Sequence, residues 1–257
     1  MSVLERLVGN SRRAIDEGVY DSVRESRSSG VSLVSAIRAQ PRAPVIAEVK
    51  PSSPSEGTIR KGADPAVISR DMAAAGAVAI SVLTQPHEFG GSPEALARVR
   101  ESVSVPVMMK DVIVGPAQVD AARRLGADYV LLIQAVFDRG LAGGRDGLID
   151  LAHAGGMGVL LEAHTRAELE SALASRADIV GVNNRSLETL EVSLETTREL
   201  LAGLGPRRVQ IVSESGISGP EDVRLLRSFG ADAFLAGTSV MRSRDVGAAV
   251  RGLVGAL

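Results

Sequence analysis

The sequence predicts an α/β fold in which eight parallel strands alternate with helices. Eight short apolar runs are separated by stretches with helical character, and the runs are continuously apolar rather than alternating. Continuous apolar strands are typical of a parallel sheet covered on both faces. Eight β-α units in 257 residues predict a single (β/α)8 TIM barrel. A doubly wound open sheet is the alternative, but no Gly-x-Gly-x-x-Gly follows the first strand, where a dinucleotide-binding sheet usually carries one.

The chain before the first strand is expected to be helical. Apolar residues between Val3 and Val8 form one stripe, and residues 31–37 offer a second stripe before Pro41. We therefore expect residues 1–40 to form an N-terminal helical extension of one barrel domain that comprises residues 1–257.

The predicted strands and helices then alternate to the end of the chain. The strands are expected at 45–50, 78–83, 106–110, 129–134, 158–163, 178–182, 208–213 and 233–237. The helices are expected at 64–75, 93–102, 116–125, 138–154, 166–174, 194–204, 219–229 and 239–254. Three of these helices end at a glycine, Gly76, Gly126 or Gly230, which accepts the left-handed conformation that closes a helix.

Composition argues against several kinds of site and partner. The chain has no cysteine, which excludes disulfides, a Cys-ligated zinc and a thiol nucleophile. Its three histidines lack the spacing of a zinc motif, so we expect no metal. A net charge of -2 without a basic block, and only 2% aromatic residues, argue against nucleic acid. No apolar run approaches about 18 residues, so we expect no membrane contact and a soluble cytoplasmic protein.

The first predicted strand ends in a charged pair, Glu48 and Lys50. Residues two apart in a strand point to the same side, so both side chains should face one space. Such a pair is either a structural ion pair or an acid–base device, and the pair alone does not decide between them.

Polar side chains also follow the other predicted strands. Barrel enzymes place their chemistry at these carboxyl ends, and buried charge is costly unless it is paired or used. The rim therefore predicts a catalytic site. Its charged and amide residues include Glu48, Lys50, Lys110, Glu162, Asn183, Arg185 and Glu214.

Small residues open the loops after the last two predicted strands. Ser215 and Gly216 follow the seventh strand, and Gly237 and Thr238 follow the eighth. They are either helix caps or a phosphate site, because barrel enzymes often bind phosphate there on backbone N–H groups. Their occurrence at both of these strands favours phosphate, and so a small phosphorylated substrate.

Taken together, these segments resemble the indole-3-glycerol-phosphate synthase family of tryptophan biosynthesis. The resemblance covers about residues 44 to 242, in order. The matching segments are Ile46-Ala-Glu-Val-Lys50, Ser53-Pro-Ser55 with Gly57, Ser81-Val-Leu-Thr84, Phe89-Gly-Gly-Ser92, Lys110-Asp111, Leu161-Glu162-Ala-His164, Gly181-Val-Asn-Asn-Arg185 with Leu187, Ser213-Glu-Ser-Gly-Ile217 and Gly237-Thr-Ser239 with Met241.

The resemblance implies an activity that uses no cofactor or metal. This activity is the ring closure of 1-(2-carboxyphenylamino)-1-deoxyribulose 5-phosphate, with loss of carbon dioxide and water, to indole-3-glycerol phosphate. The enzyme would be a carboxy-lyase. We further expect a monomer and consider association with other tryptophan-pathway enzymes.

The resemblance also implies roles for individual residues. Lys110 matches the general acid, and we expect neighbouring cations to lower its pKa toward neutrality. Glu162 matches the general base of dehydration. The remaining implied roles are positioning by Glu48, phosphate contact and shared acid duty for Lys50, substrate contacts by Ser53, Phe89, Asn183 and Arg185, orientation of the lysine by Glu214, and phosphate binding by Ser215, Gly216, Gly237 and Thr238.

Three positions depart from the family pattern. Pro51 and Glu56 stand where a basic residue is usual, and Val112 stands where Phe usually packs near the substrate ring. The alternatives to this reading are another phosphate-binding barrel enzyme, such as phosphoribosylanthranilate isomerase, and a barrel that binds a phosphorylated ligand without catalysis.

Overall fold

The structure is a computed structural model, and it describes residues 2–53, 57–60 and 62–257. Eight parallel strands close into a barrel, which confirms the predicted fold class. Two short antiparallel strands, β2 and β3, lie in the loop after β1. In chain order the strands are β1 Val45–Val49, β2 Ser52–Ser53, β3 Gly57–Thr58, β4 Ala79–Leu83, β5 Val107–Lys110, β6 Tyr129–Ile133, β7 Gly158–Ala163, β8 Ile179–Asn183, β9 Gln210–Glu214 and β10 Ala233–Ala236.

Helices precede the barrel and connect its strands. In chain order they are α1 Val3–Asp16, α2 Leu33–Ala39, α3 Pro65–Ala74, α4 Pro93–Ser102, α5 Pro116–Arg124, α6 Gln134–Asp138, α7 Arg145–Ala154, α8 Arg166–Leu173, α9 Glu195–Leu201, α10 Pro220–Ser228, α11 Thr238–Arg242 and α12 Val246–Val254. Across the described residues, none of these helices is both long enough and apolar enough to cross a membrane.

Two predicted helices are wrong as single elements. The helix expected at 138–154 begins only at Arg145, in α7, because residues 139–144 are not helical and Gly144 precedes α7 with a φ of 74° that a continuing helix does not allow. The helix expected at 239–254 is divided into α11 and α12, and the Asp245 side chain caps α12 by accepting a hydrogen bond from the Ala248 N–H. The predicted glycine C-caps are confirmed at Gly76, Gly126 and Gly230, with φ of 100°, 77° and 103°.

The barrel closes because β1 pairs with both β4 and β10. Ile46 lies opposite Ala79 on one side and opposite Leu235 on the other. All five residues of β1 are buried, as expected for a strand covered on both faces. This register brings the carboxyl ends of β1, β4 and β10 to the same end of the barrel.

The N-terminal extension contacts both ends of the barrel. At the carboxyl end, Arg6 in α1 forms an ion pair of 2.8 Å with Glu88, in the loop after β4. At the amino end, the Ser29 hydroxyl donates to Asp128, which precedes β6, at 2.8 Å. The extension is therefore an integral part of the packing around the site, and not a separate appendage.

Candidate active site

Lys110, the last residue of β5, lies between two buried carboxylates from other strands. Its Nζ donates to Glu214 Oε2 at 3.0 Å and to Glu162 Oε2 at 3.3 Å. The second oxygen of Glu162 accepts a hydrogen bond of 2.9 Å from the Asn183 amide. Four strands thus fix one ammonium and its partners, and rigid strands hold such groups more precisely than loops do.

The prediction that neighbouring cations lower the pKa of Lys110 is wrong. Burial alone would lower this pKa, but the carboxylates of Glu214, Glu162 and Glu48 outweigh burial and raise it above its ordinary value. Lys110 is therefore a stable ammonium at neutral pH. In this form it can donate a proton and stabilise developing negative charge.

The same cluster of charges also shifts the pKa of Glu214. Burial raises the pKa of Glu214, the Lys110 ammonium lowers it, and the charge of Glu162 raises it again, with a result of about 7. Glu214, one of the two carboxylates that contact Lys110, should therefore change its protonation near neutral pH.

Glu48 and Lys50 face each other, as their spacing in the sequence predicts. Lys50 Nζ lies 2.8 Å from Glu48 Oε1, and the Glu48 side chain is fully buried. The Ser81 hydroxyl of β4 donates to the other Glu48 oxygen at 3.5 Å. This ion pair lies beside the Lys110 cluster, since Glu48 is close enough to raise the pKa of Lys110.

Two glycines leave the space that the carboxylates occupy. A Cβ atom at Gly181 would lie 2.2 Å from Glu214 Oε1, and a Cβ atom at Gly237 would lie 2.4 Å from Glu48 Oε1. Both distances are far below van der Waals contact. A side chain larger than glycine at either position would therefore displace the neighbouring carboxylate.

Two adjoining cavities meet at Lys110. The first, which we call the ring slot, has mainly apolar walls. The second is bounded mainly by the loops after β9 and β10, and we call it the phosphate cavity after the role predicted for those loops. Lys50, Lys110, Arg185 and Ser215 line both cavities. The site therefore has an apolar end, a polar end and a lysine at their junction.

Most of the sequence-predicted site residues line one of these cavities. The ring slot contains Phe89, Glu162, Asn183 and Val112, and the phosphate cavity contains Glu48, Glu214, Gly216, Gly237 and Thr238. For Ser53 the structure describes only the backbone, in β2, and Glu56 lies outside the described residues. The functional roles of these residues stay predictions.

Hydrogen bonds after β8 fix the position of Arg185. Its backbone N–H donates to Asn183 Oδ1 at 2.9 Å, and its guanidinium donates to the Leu190 carbonyl at 2.9 Å. The Asn183 carbonyl lies 2.6 Å from His164 Nδ1. His164 therefore supports the loop that carries Arg185 through its contact with Asn183, which lines the ring slot.

The structure adds residues that sequence reasoning missed. Arg242 in α11 lines the phosphate cavity. It was not predicted because it lies beyond the residues that directly follow the end of a strand. The ring slot gains Leu7 of the extension, Gln85 after β4, and the apolar side chains Leu131, Ile133 and Leu190. It also contains Leu187, which belongs to the segments that resemble the family. Only the apolar stripe of α1 gave a signal for Leu7, and that stripe did not show which surface it covers.

Comparison with known proteins identifies the family. The family model described as indole-3-glycerol phosphate synthase matches residues 6–253. The chain belongs to the indole-3-glycerol phosphate synthase family. An indole-3-glycerol phosphate synthase of Methanopyrus kandleri is 46% identical over 98% of this chain and 96% of its own length. One of Azoarcus sp. is 46% identical over 90% of this chain and 88% of its own length. The resemblance predicted from the motifs is confirmed.

Solved structures support the fold alone. A thiamine phosphate pyrophosphorylase from Pyrococcus furiosus superposes with a TM-score of 0.61 at 17% identity, over 83% of this chain and 94% of its own. A native KDPGal structure superposes with a TM-score of 0.59 at 19% identity, over 84% of this chain and 95% of its own. At such identities the likeness concerns the barrel and not the reaction.

Proposed function

We propose that this chain, as a member of its family, is a carboxy-lyase that converts 1-(2-carboxyphenylamino)-1-deoxyribulose 5-phosphate to indole-3-glycerol phosphate. The observation that carries the proposal is the position of Lys110, between two carboxylates and at the junction of an apolar and a polar cavity. The substrate has the same order of parts: an aromatic ring, a reacting ketone and a phosphate.

In the proposed ring closure, Lys110 is the general acid. The ring carbon that bears the carboxylate bonds to the ketone carbon, and the ketone oxygen takes a proton from the Lys110 ammonium. Cleavage of the bond to the carboxylate then releases carbon dioxide and returns its electron pair to the ring. A raised pKa keeps Lys110 charged before the reaction, so its proton is available when charge develops on the oxygen.

In the proposed dehydration, Glu162 is the general base. It removes a proton from the methylene carbon next to the ring nitrogen. The hydroxyl leaves as water after protonation by Lys50, or by Lys110 once solvent has restored the proton that Lys110 gave to the ketone oxygen. The contact of 3.3 Å between Glu162 and Lys110 supports this exchange, because a base and an acid must both reach one small region of the substrate. Glu214 orients the ammonium from the opposite side.

Substrate anions are assigned to the two ends of the site. Asn183 and Arg185, which line the ring slot, would hold the ring carboxylate, an anion that a planar guanidinium suits. Backbone N–H groups of residues 215–216 and 237–238, together with Lys50, would bind the phosphate. Ser53 and Phe89 are proposed as further substrate contacts, and Glu48 as the carboxylate that positions Lys50.

The deciding experiment is direct. Purified protein supplied with the carboxyphenylamino-deoxyribulose phosphate should produce indole fluorescence with one equivalent of carbon dioxide. A parallel assay with phosphoribosylanthranilate as substrate tests for the rival isomerase activity. Absence of indole product at saturating substrate would exclude the proposed reaction, and binding of substrate without any turnover would support a non-catalytic barrel.

We also propose a cytoplasmic monomer. The large exposed hydrophobic residues of the described chain lie on separate elements, which is normal for a monomer surface: Val31, Val67, Leu151, Val192, Leu225 and Leu257. Sedimentation of the full chain at micromolar concentration should give one species near 26.7 kDa. The same run with other tryptophan-pathway enzymes added tests the expected association, and a dimer in the absence of partners would contradict the monomer.

A further inference from the structure

Asn184, the residue after β8, connects three segments at the carboxyl end of the barrel through its side-chain amide. Its Nδ2 group donates to the Ser213 hydroxyl of β9 and to the Ser215 carbonyl, both at 3.0 Å. Its Oδ1 atom accepts from the Thr197 hydroxyl of α9 at 2.8 Å. Asn184 is buried, and it is not among the described residues that line the ring slot or the phosphate cavity. Any effect of Asn184 on the substrate must therefore pass through its partners.

The hydrogen bonds of this network permit one orientation of the Asn184 amide. Thr197 presents two donors to Asn184 Oδ1, its hydroxyl and, at 3.2 Å, its backbone N–H. A rotated amide would turn its NH2 group toward the Thr197 N–H, and neither donor would have an acceptor. The Ser213 hydroxyl lies 2.8 Å from the Thr197 hydroxyl and donates to it, since the Thr197 proton is already used. The Ser215 carbonyl therefore faces an N–H donor that is fixed in place.

Ser215 needs this support because its backbone is strained. Ser215 and Gly216 follow β9 with φ of 68° and 83°, so two consecutive residues are left-handed. A left-handed conformation is unfavourable for serine, and it persists only where the surrounding structure stabilises it. The hydrogen bond from Asn184 holds the carbonyl of the strained residue itself. Asn184 therefore helps to determine the conformation of this turn.

The orientation of the Ser215 carbonyl also determines that of the Gly216 N–H. The two groups belong to one planar peptide, and no described peptide bond is cis, so they point in opposite directions. The carbonyl points toward the buried amide of Asn184, and the N–H consequently points away from it. No described residue accepts a hydrogen bond from the Gly216 N–H, and Gly216 lines the phosphate cavity. This N–H is therefore available to an anion in the cavity.

We propose that Asn184 is a positioning residue that aims the Gly216 N–H at the phosphate group of the substrate. Asn184 does not touch the phosphate, and it acts through the peptide between Ser215 and Gly216. A donor that is already oriented binds an anion more tightly, because the turn need not be ordered when the ligand arrives. This inference rests on the proposed function, since it takes the phosphate cavity to be the phosphate site.

The variant Asn184→Ala tests the proposal by removing the donor to Ser215. The Kd for inorganic phosphate and the KM for the phosphorylated substrate should each rise by about tenfold, as expected for loss of one hydrogen bond to a charged group. The kcat should change little, because the phosphate is bound equally in the ground state and the transition state. The dephosphorylated substrate should keep the kcat/KM of the wild type, so the preference for the phosphorylated compound should fall by about tenfold.

The matched control is Thr197→Val, which removes a hydroxyl from the same buried network and nearly conserves the volume of the side chain. It leaves the hydrogen bond between Asn184 and Ser215 intact. Both variants should lower the Tm, but only Asn184→Ala should weaken phosphate binding. A lower Tm in Asn184→Ala with the wild-type Kd for phosphate, or an equal rise of that Kd in Thr197→Val, would show a merely structural role and overturn the proposal.

A measurement on the wild type tests the proposal even if Asn184→Ala does not fold. In NMR spectra of the full chain, saturating inorganic phosphate should shift the Gly216 amide proton downfield and slow its exchange with solvent. The amide proton of Gly252, which lies in α12, should not respond. An unchanged Gly216 signal at saturating phosphate contradicts the proposed contact.

The proposed reaction and the role of Asn184 fail in distinguishable ways, because phosphate binding needs no turnover. Wild-type protein that makes no indole product, together with a raised Kd for phosphate in Asn184→Ala, would overturn the reaction alone. Formation of the indole product, together with the wild-type Kd in Asn184→Ala, would overturn the role of Asn184 alone.

Discussion

The hydroxyl of Tyr20 donates a hydrogen bond of 2.8 Å to Asp111, the residue that follows Lys110. Both residues are buried, and Tyr20 belongs to the N-terminal extension rather than to the barrel. Asp111 also accepts from the Thr84 hydroxyl at 2.6 Å and from the Val112 N–H at 2.8 Å. Burial raises the pKa of Asp111 to about 6, while these hydrogen bonds act to lower it. The extension thus fixes the turn that carries the central lysine.

Tyr20→Phe removes this hydrogen bond and keeps the aromatic ring. We expect the free energy of unfolding to fall by about 1.5–3 kcal/mol, the range for a hydrogen bond to a charged group. We also expect kcat to fall severalfold with little change in KM, because Lys110 is displaced while the substrate contacts remain. Denaturant titration and steady-state kinetics measure the two effects.

Tyr129→Phe is the matched control for Tyr20→Phe. Tyr129 is also buried, but it begins β6 at the opposite end of the barrel. The kcat of Tyr129→Phe should equal that of the wild type. An unchanged kcat in Tyr20→Phe would show that the extension stabilises the fold without positioning Lys110.

Lys110→Ala should reduce kcat by roughly 10²–10⁴-fold, the contribution of a positioned general acid. It should also destabilise the protein by about 3 kcal/mol or more, because Glu162 and Glu214 lose the ammonium that compensates their buried charge. Circular dichroism should still report the barrel. Arg98→Ala serves as the control, since its ion pair with Asp64 is solvent-exposed and contributes at most about 1 kcal/mol. Near-normal turnover in Lys110→Ala would remove Lys110 from its assigned role.

The pH dependence of kcat/KM should report Glu214. Because its pKa is raised to about 7, Glu214 gains a proton as the pH falls below 7, and Lys110 then loses one of its two anionic partners. Activity should decline on the acidic side of pH 7. The raised pKa of Lys110 keeps the ammonium charged on the alkaline side, so deprotonation of Lys110 should cause no loss below pH of about 10.

Glu214→Gln tests this assignment. The variant carries no titrating group at the position, so its lower activity should no longer decline near pH 7. Buffers of matched ionic strength and a full profile of both kcat and kcat/KM are needed. An acidic decline with the same midpoint in the variant would assign the titration to another group.

Gly237→Ala should disturb the Glu48–Lys50 pair. The added methyl group would lie 2.4 Å from Glu48 Oε1, so the buried carboxylate must move. We expect a drop in kcat/KM of at least about tenfold, equivalent to about 1.4 kcal/mol of transition-state stabilisation. Lys50 lines both cavities, so both KM and kcat should change.

Gly252→Ala is the control for the added methyl group. Gly252 lies within α12, and no atom lies within 4 Å of the Cβ position. Alanine should stabilise this helix by about 0.5–1 kcal/mol and leave activity unchanged. Equal activity in the two glycine variants would mean that the Glu48 carboxylate can move without cost.

The sequence alone determined the barrel and the family. Eight continuous apolar runs with helices between them admit few other folds, and polar residues such as Glu48, Glu162 and Glu214 occur at the ends of those runs. Hydrophobic periodicity and the positions of strand ends are local properties of the sequence. They can therefore be predicted without knowing which elements pack together. The same reasoning misjudged residues 138–154 and 239–254, where a helical composition conceals a short loop between two helices.

The tertiary structure decided the electrostatics and the walls of the site. The sequence shows cations near Lys110 but not that three carboxylates surround it, and so the direction of its pKa shift was wrong when inferred from the chain. It also shows an apolar helix at the N-terminus but not that Leu7 and Tyr20 lie at the carboxyl end of the barrel strands. Charge interactions and cavity walls depend on distances between residues far apart in the chain, and strand closure sets those distances.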